Sequence, residues 1–324
     1  MSYNSGIIYA LIADVIWGLA FIIPKLLPSY SAVEITCGRY FVYGIFSIVI
    51  WLCRQKNILT HNYSNKIWSH ALLFAFCGNV GYYLFLVLAI QLAGVTISTL
   101  IIGMLPITVS LYGNWLFREF SFKKVLTPVL LVFCGIIIIN SYKLQGNDAL
   151  YDNILGLFCG LVALSLWTWY GVANARFLKE NPQISSKDWS TITGIATFLL
   201  LPFFLVVTSL MSFHSFYTSH LFQRDESNGY FWLGSIALGF LCSWGATVFW
   251  NKASNILPTA LAGQLIVGEM IFGLLYGYIF EHRLPYYFEF VGIIIIIGGV
   301  FYGIHIINDE KRLMFHGHTQ KEQS

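Results

Sequence analysis

GIIYALIADVIWG, residues Gly6 to Gly18, and GLFCGLVALSLWT, residues Gly156 to Thr168, decide how this chain folds. In each, a glycine precedes a tryptophan by eleven residues, and each opens an apolar run long enough to cross a bilayer. A helix needs about 20 apolar residues for that crossing. Working outward between charged or Pro/Asn-rich breaks gives ten predicted spans, roughly 6–27, 33–53, 67–91, 94–117, 124–142, 154–177, 190–212, 230–253, 257–280 and 286–307. The separators are thinnest after the third and eighth spans, only Leu92-Ala93 and Ser254-Asn255-Ile256. Lipid offers no partner to backbone N–H and C=O groups, so helix is the default, and continuous rather than alternating runs argue against a barrel.

Composition agrees. Of 324 residues, 57% are hydrophobic and 10% charged, and the mean hydropathy is +0.70. Soluble domains carry about 25% charged residues, so this chain could not clothe a water-facing surface. The net charge of +3 is small and lies on loops, which argues against nucleic acid as a partner. Cys37, Cys53, Cys77, Cys134, Cys159 and Cys242 all lie in or beside apolar runs and form no C-x-x-C pair. They read as small core residues, with no disulfide framework, metal site or cofactor expected. The first apolar run is too long for a signal-peptide core and is expected to remain as a span.

The basic residues set the orientation. With ten spans, thirteen Lys and Arg fall on the side of the two termini and four (Lys25, Lys143, Arg224 and Arg283) on the other, leaving Arg39 inside span two. Both termini are therefore expected in the cytoplasm.

The two anchoring stretches also begin a longer correspondence. Span four ends in FRE, Phe117 to Glu119, and span nine in IFE, Ile279 to Glu281. The spans that follow carry Pro128 and Gly135 in one half and Gly292 and Gly299 in the other, seven residues apart in both. A repeat of five spans is odd, so the second copy must enter the membrane upside down. The expected fold is all-α and integral to the membrane: ten transmembrane helices as two inverted five-helix repeats, residues 1–147 and 148–310, followed by a polar cytoplasmic tail, 311–324. Inverted repeats are a recurring architecture of secondary transporters, which hold their solute near the midplane between the halves.

On these residues the chain resembles the drug/metabolite transporter superfamily, in its EamA-type ten-helix branch. The resemblance rests on Trp17-Gly18, Arg39, Pro106 thirteen residues before Glu119, Glu281 and the Gly292/Gly299 pair. The second half departs from the pattern in having Trp167-Thr168 rather than Trp-Gly, and Gly268-Glu269 where a proline break would fall. The resemblance implies a secondary transporter of the cytoplasmic (inner) membrane. It would export or exchange small metabolites such as amino acids, nucleotide-type compounds, sugars or drugs, and it needs no cofactor.

Charges at bilayer depth cost at least about 2.5–3.5 kcal/mol and by default mark a pathway. Asp14 shares a helical stripe with Gly18, Phe21 and Lys25, at offsets of 4, 7 and 11, and reads as a proton carrier or ammonium ligand, or as a structural carboxylate. Its counterpart in the second half is Leu164. Glu269, twelve residues into span nine with Gly273 and Tyr276 on its face, reads as a proton-titrating or substrate-binding carboxylate, or as a buried hydrogen-bond donor. Arg39 and Lys25 are expected to form a cationic mouth for a carboxylate or phosphate, unless Arg39 pairs with Glu34 or Asp14 and Lys25 snorkels. Trp17, Asn79, Tyr83, Trp167, Trp244 and Asn251 are candidates to line the cavity. Glu119 and Glu281 read as helix-end structural groups. Pro106, Gly268 and Gly273 are the expected hinge and close-packing positions.

Two other classes fit less well. An intramembrane enzyme would need a constellation such as H-E-x-x-H or G-x-S-x-G, and neither occurs. A non-transporting membrane binding or scaffold protein is disfavoured only by the buried charges. Proton coupling is an expectation from the carboxylates alone, and the oligomeric state is open.

Overall fold

The computed structural model describes residues 3–53, 64–117, 126–128, 130, 131, 134, 135, 138, 147–210, 227–257 and 265–321. Among them every regular element is helical. In chain order these are α1 (Tyr3–Leu26), α2 (Ala32–Cys53), α3 (Asn65–Ala93), α4 (Val95–Ile102), α5 (Leu105–Phe117), α6 (Asn147–Glu180), α7 (Ser186–Leu210), α8 (Asn228–Ile256), α9 (Val267–Phe280) and α10 (Tyr287–Lys321). Six of them, α1, α2, α3, α6, α7 and α8, are long and apolar enough to cross a membrane. Three further stretches, Val95–Val109, Val267–Phe280 and Tyr287–Gly303, are apolar but shorter.

Two expectations change in detail. The fourth span is not one rod: the chain turns at Gly103-Met104, and Pro106 stands as the second residue of α5. Proline lacks an N–H and suits the first turn of a helix better than its interior, so Pro106 marks a break rather than a kink. The last helix runs on to Lys321, well beyond residue 307, so the polar tail continues α10. Most of the expected fifth span, and Glu119, lie outside the described residues.

The turns that follow α1 and α6 are alike. Leu27-Pro28-Ser29-Tyr30-Ser31 follows α1 and Asn181-Pro182-Gln183-Ile184-Ser185 follows α6. In both, the fourth residue is 2% exposed and the serine caps the next helix. Ser31 Oγ accepts from the Glu34 N–H at 3.3 Å while Glu34 Oε2 accepts from the Ser31 N–H at 2.8 Å. Ser185 Oγ accepts from the Asp188 N–H at 3.1 Å. The first is a reciprocal capping box and the second a one-way serine cap, in which the Ser185 hydroxyl donates to Asp188 Oδ2 at 2.6 Å; each satisfies N–H groups that the first helical turn leaves unpaired.

Two helices carry a π turn, Ala75–Val80 in α3 and Ala237–Gly245 in α8. A π turn displaces the i→i−4 ladder and commonly marks a functional site. Both lie against the same interior. The helices pack in matching pairs: α3 on α6 and α8 on α1, α9 on α1 and both α4 and α5 on α6, with α2 on α7 and α4 on α9.

Candidate functional site: a charged cavity between the helices

The two π turns face each other across a cavity lined by Trp17 and Ala20 of α1, Arg39 of α2, Gly78, Asn79 and Tyr82 of α3, Trp167 and Tyr170 of α6, Cys242, Ser243, Thr247 and Trp250 of α8, and Glu269 of α9. Its free volume is about 30 Å³, room for about two waters.

Ser243 sits in the α8 π turn and gives its hydroxyl hydrogen to Leu238 O, five residues back, at 3.0 Å. Its lone pairs then accept from Arg39 Nε at 2.8 Å. The guanidinium lies over the Tyr83 ring at 4.0 Å and the Tyr40 ring at 5.2 Å, cation–π contacts that support a charge away from water. On the other wall, Thr197 gives its hydrogen to Thr193 O, so it must accept from Asn79, whose Nδ2 donates at 2.8 Å. That fixes the Asn79 amide, leaving its carbonyl oxygen as the acceptor still to be used.

Trp17 Nε1 donates to Cys242 O at 2.8 Å, and Cys242 Sγ donates to Ile16 O at 3.2 Å, so α1 is tied to the α8 π turn in both directions. Trp17, Trp167 and Trp250 stand in mutual contact, with ring centroids 5.5 to 6.4 Å apart. The three indoles make one aromatic wall.

Of the residues singled out in the sequence, Trp17, Arg39, Asn79, Trp167 and Glu269 come together here. Asp14 is fully buried behind them, and neither of its carboxylate oxygens has a hydrogen-bond partner among the described residues. It packs on Gly268, where an added Cβ would stand 2.5 Å from Asp14 Oδ2, and it interacts electrostatically with Glu269. Tyr83 lies beneath Arg39. Asn251 is buried with both amide atoms unpartnered among the described residues and is not part of the lining.

Trp244 turns away, stacking on Phe240 and donating to Thr191 Oγ1 at 3.3 Å. Tyr276 donates to Val15 O at 3.1 Å and ties α9 to α1. Gly273 packs against Phe21 and Thr99.

The expected cationic mouth does not form. Lys25 pairs with Glu281 near the turn that follows α9, and Arg39 is buried on the cavity wall. Nor does Arg39 pair with Glu34, which is held by Ser31. Trp250, Tyr82 and Tyr170 are among the aromatics the sequence offers for a cavity lining and do line it, whereas Ser243 and Thr247 carry no such sign, although spacings of 4 and 3 put Ser243, Thr247 and Trp250 on one stripe of α8. Trp244 stands one residue off that stripe.

A charged cavity enclosed by apolar helices defines the class: a multi-pass membrane protein. Comparisons with known proteins agree. The family model described as "EamA-like transporter family" matches residues 4–141. The chain is 31% identical over 310 residues to "Inner membrane protein YtfF" of Escherichia coli (strain K12), covering 91% of this chain and 94% of that one. It is 24% identical over 206 residues to a Salmonella typhimurium protein named "Probable amino-acid metabolite efflux pump", covering 62% of this chain and 64% of that one. A solved crystal structure matches with a TM-score of 0.65 over 94% of this chain and 99% of that chain, at 17% identity, a likeness of fold alone. The chain belongs to the EamA-like transporter family, within the drug/metabolite transporter superfamily.

Proposed function

We propose that this transporter is a secondary exporter of small organic metabolites such as amino acids, working by alternating access across the cytoplasmic membrane. The observation that carries the proposal is the cavity itself: α1, α2 and α3 of the first half and α6, α8 and α9 of the second each contribute to it. A site shared by two bodies can open to either side when one body rocks against the other. With about 30 Å³ free, a solute enters only if the walls part. The name of the Salmonella relative, an efflux pump, supports the outward direction.

The inverted ten-span arrangement is part of this reading. It is supported by the matched Pro-x-x-Ser turns, the paired π turns and the packing that repeats when the halves are exchanged. Pro106, Gly268 and Gly273 serve here as close-packing and hinge positions between the moving bodies.

Proton coupling would run through Glu269, which faces the cavity, with Asp14 behind it. The cation on the same cavity is Arg39. Purified protein in liposomes tests this. Wild-type solute flux is expected to change between about pH 6 and about pH 8, and the Glu269→Gln variant to lose that dependence. A variant that keeps the wild-type pH profile overturns the proton role, and liposomes that move no solute above empty vesicles overturn the transporter reading.

A further inference from the structure

A second cavity lies at the end of α1 and shares no lining residue with the first. Pro24, Lys25 and the turn from Pro28 to Ser31 form one side of it, and Ile90, Gln91 and Gly94 form the other. Its free volume is about 510 Å³, in the range of pockets that hold small organic molecules. The wall is fixed before any ligand arrives. Tyr30 donates its hydroxyl to Asn228 Oδ1 at 2.9 Å, packs on Phe231, and accepts at its backbone carbonyl from Gln91 Nε2 at 2.9 Å. Ser31 is committed to Glu34.

What stays open is polar and of one sign. Lys25 is the charged residue of the lining. An ammonium carries three donor hydrogens; Glu281 takes one, and the Lys25 side chain is 37% exposed. Gln91 spends one amide hydrogen on Tyr30 and keeps the other, and Ser29 presents an exposed hydroxyl. Donors gathered around an ammonium suit a carboxylate. An amine would meet Lys25 with no acid on the lining to offset it. Pro24, Pro28 and Ile90 add apolar surface for a ring or a short chain.

We propose that this cavity binds a small organic acid, its carboxylate on Lys25 with Ser29 and Gln91 as further donors, and its apolar part against Pro24, Pro28 and Ile90. The ligand shares Lys25 with Glu281. Arg283 Nε also donates to Glu281, at 2.6 Å, so Glu281 keeps a cation while Lys25 turns toward the cavity. Occupancy therefore weakens the tie between α1 and α9, the helix that carries Glu269.

The test is protection of a thiol in the full chain in detergent, at constant ionic strength. Ser29→Cys is made after the six native cysteines are replaced, with Gln183→Cys as the control, and N-ethylmaleimide is the label. Benzoate at about ten times its half-saturating concentration should slow labelling of Ser29→Cys about tenfold, the factor by which free sites fall. Gln183→Cys should not respond, and neither benzyl alcohol nor benzylamine should protect. Lys25→Gln should abolish protection. Glu281→Gln, which frees Lys25, should lower the half-saturating concentration about threefold, the worth of a partly exposed ion pair.

No protection by benzoate, equal protection by the alcohol or the amine, or protection that survives Lys25→Gln would each overturn the proposal. Protection by phosphatidylglycerol in the micelle but not by benzoate would give the site to a lipid headgroup and overturn it as well. An unchanged half-saturating concentration in Glu281→Gln would overturn the competition for Lys25. The panel of three probes on Ser29→Cys decides the matter even if Lys25→Gln fails to fold, and none of these readings depends on transport.

Discussion

Asp14 and Gly268 show most directly how a single position is constrained here. The carboxylate sits against a bare Cα, where a methyl group would meet Oδ2 at 2.5 Å and Cγ at 3.0 Å. The neighbour is a short side chain, fully buried, so it cannot swing into solvent. Gly268→Ala is expected to destabilise the protein by about 1–3 kcal/mol, the usual cost of overpacking a tight core. Replacing Asp14 by Ala in the same chain should recover most of that loss, because it removes the atoms that clash. Thermal unfolding of the two single variants and the double variant in detergent gives the coupling directly; additive losses would mean that the two side chains do not share the site described. The sequence alone placed Asp14 and Gly268 on separate spans with no sign that they touch. Helical spacing shows which residues share a face, not which face of another helix they meet.

At the scale of elements, the ends of α1 and α9 are joined by a cluster of charges. Lys25 pairs with Glu281, Arg283 Nε donates to Glu281 at 2.6 Å, and Arg283 reaches Glu289 of α10 at 2.5 and 3.0 Å. Burial alone would push the Glu281 carboxyl up, but hydrogen bonds and charge from Lys25 and Arg283 outweigh it and hold the group below the ordinary carboxylate range. A carboxylate depressed in the folded state adds stability that is fully present above its unfolded value of about 4.3 and is lost as pH falls through the lower folded value. Glu281→Gln should therefore unfold more easily than wild type near neutral pH, by under about 1 kcal/mol given the cluster's solvent access. The difference should shrink below about pH 4. A gap that stays constant down to pH 3 in thermal melts would show that Glu281 does not hold this cluster. The sequence reading made Glu281 a helix-end structural group but sent Lys25 to a mouth with Arg39. It lacked the one fact that separates them, the turn that carries Lys25 and Glu281 to the same end of the bundle. The π turns were equally hidden, because Ala75–Val80 and Ala237–Gly245 read as ordinary apolar helix and only the displaced ladder betrays them.

For the whole molecule, a pair of similar turns stands beside the Gly-to-Trp spacing in the sequence. Pro28-Ser29-Tyr30-Ser31 with Glu34, and Pro182-Gln183-Ile184-Ser185 with Asp188, are the same helix–turn–helix device used twice. If the halves are inverted, these two turns must face opposite sides of the membrane. The first turn has Lys25 beside it, whereas the second is flanked by Arg176, Lys179 and Lys187. On the inverted reading, the positive-inside rule predicts the second in the cytoplasm and the first outside. Ser29 and Gln183 are both exposed, so each can be replaced by cysteine with little disturbance once the six native cysteines are substituted. In intact cells a membrane-impermeant maleimide should label Ser29→Cys fully and Gln183→Cys only after permeabilisation. Labelling of both from the same side would mean that an even number of crossings separates the turns. The inverted five-helix arrangement would then fall, and with it the account of a cavity that opens alternately to the two sides.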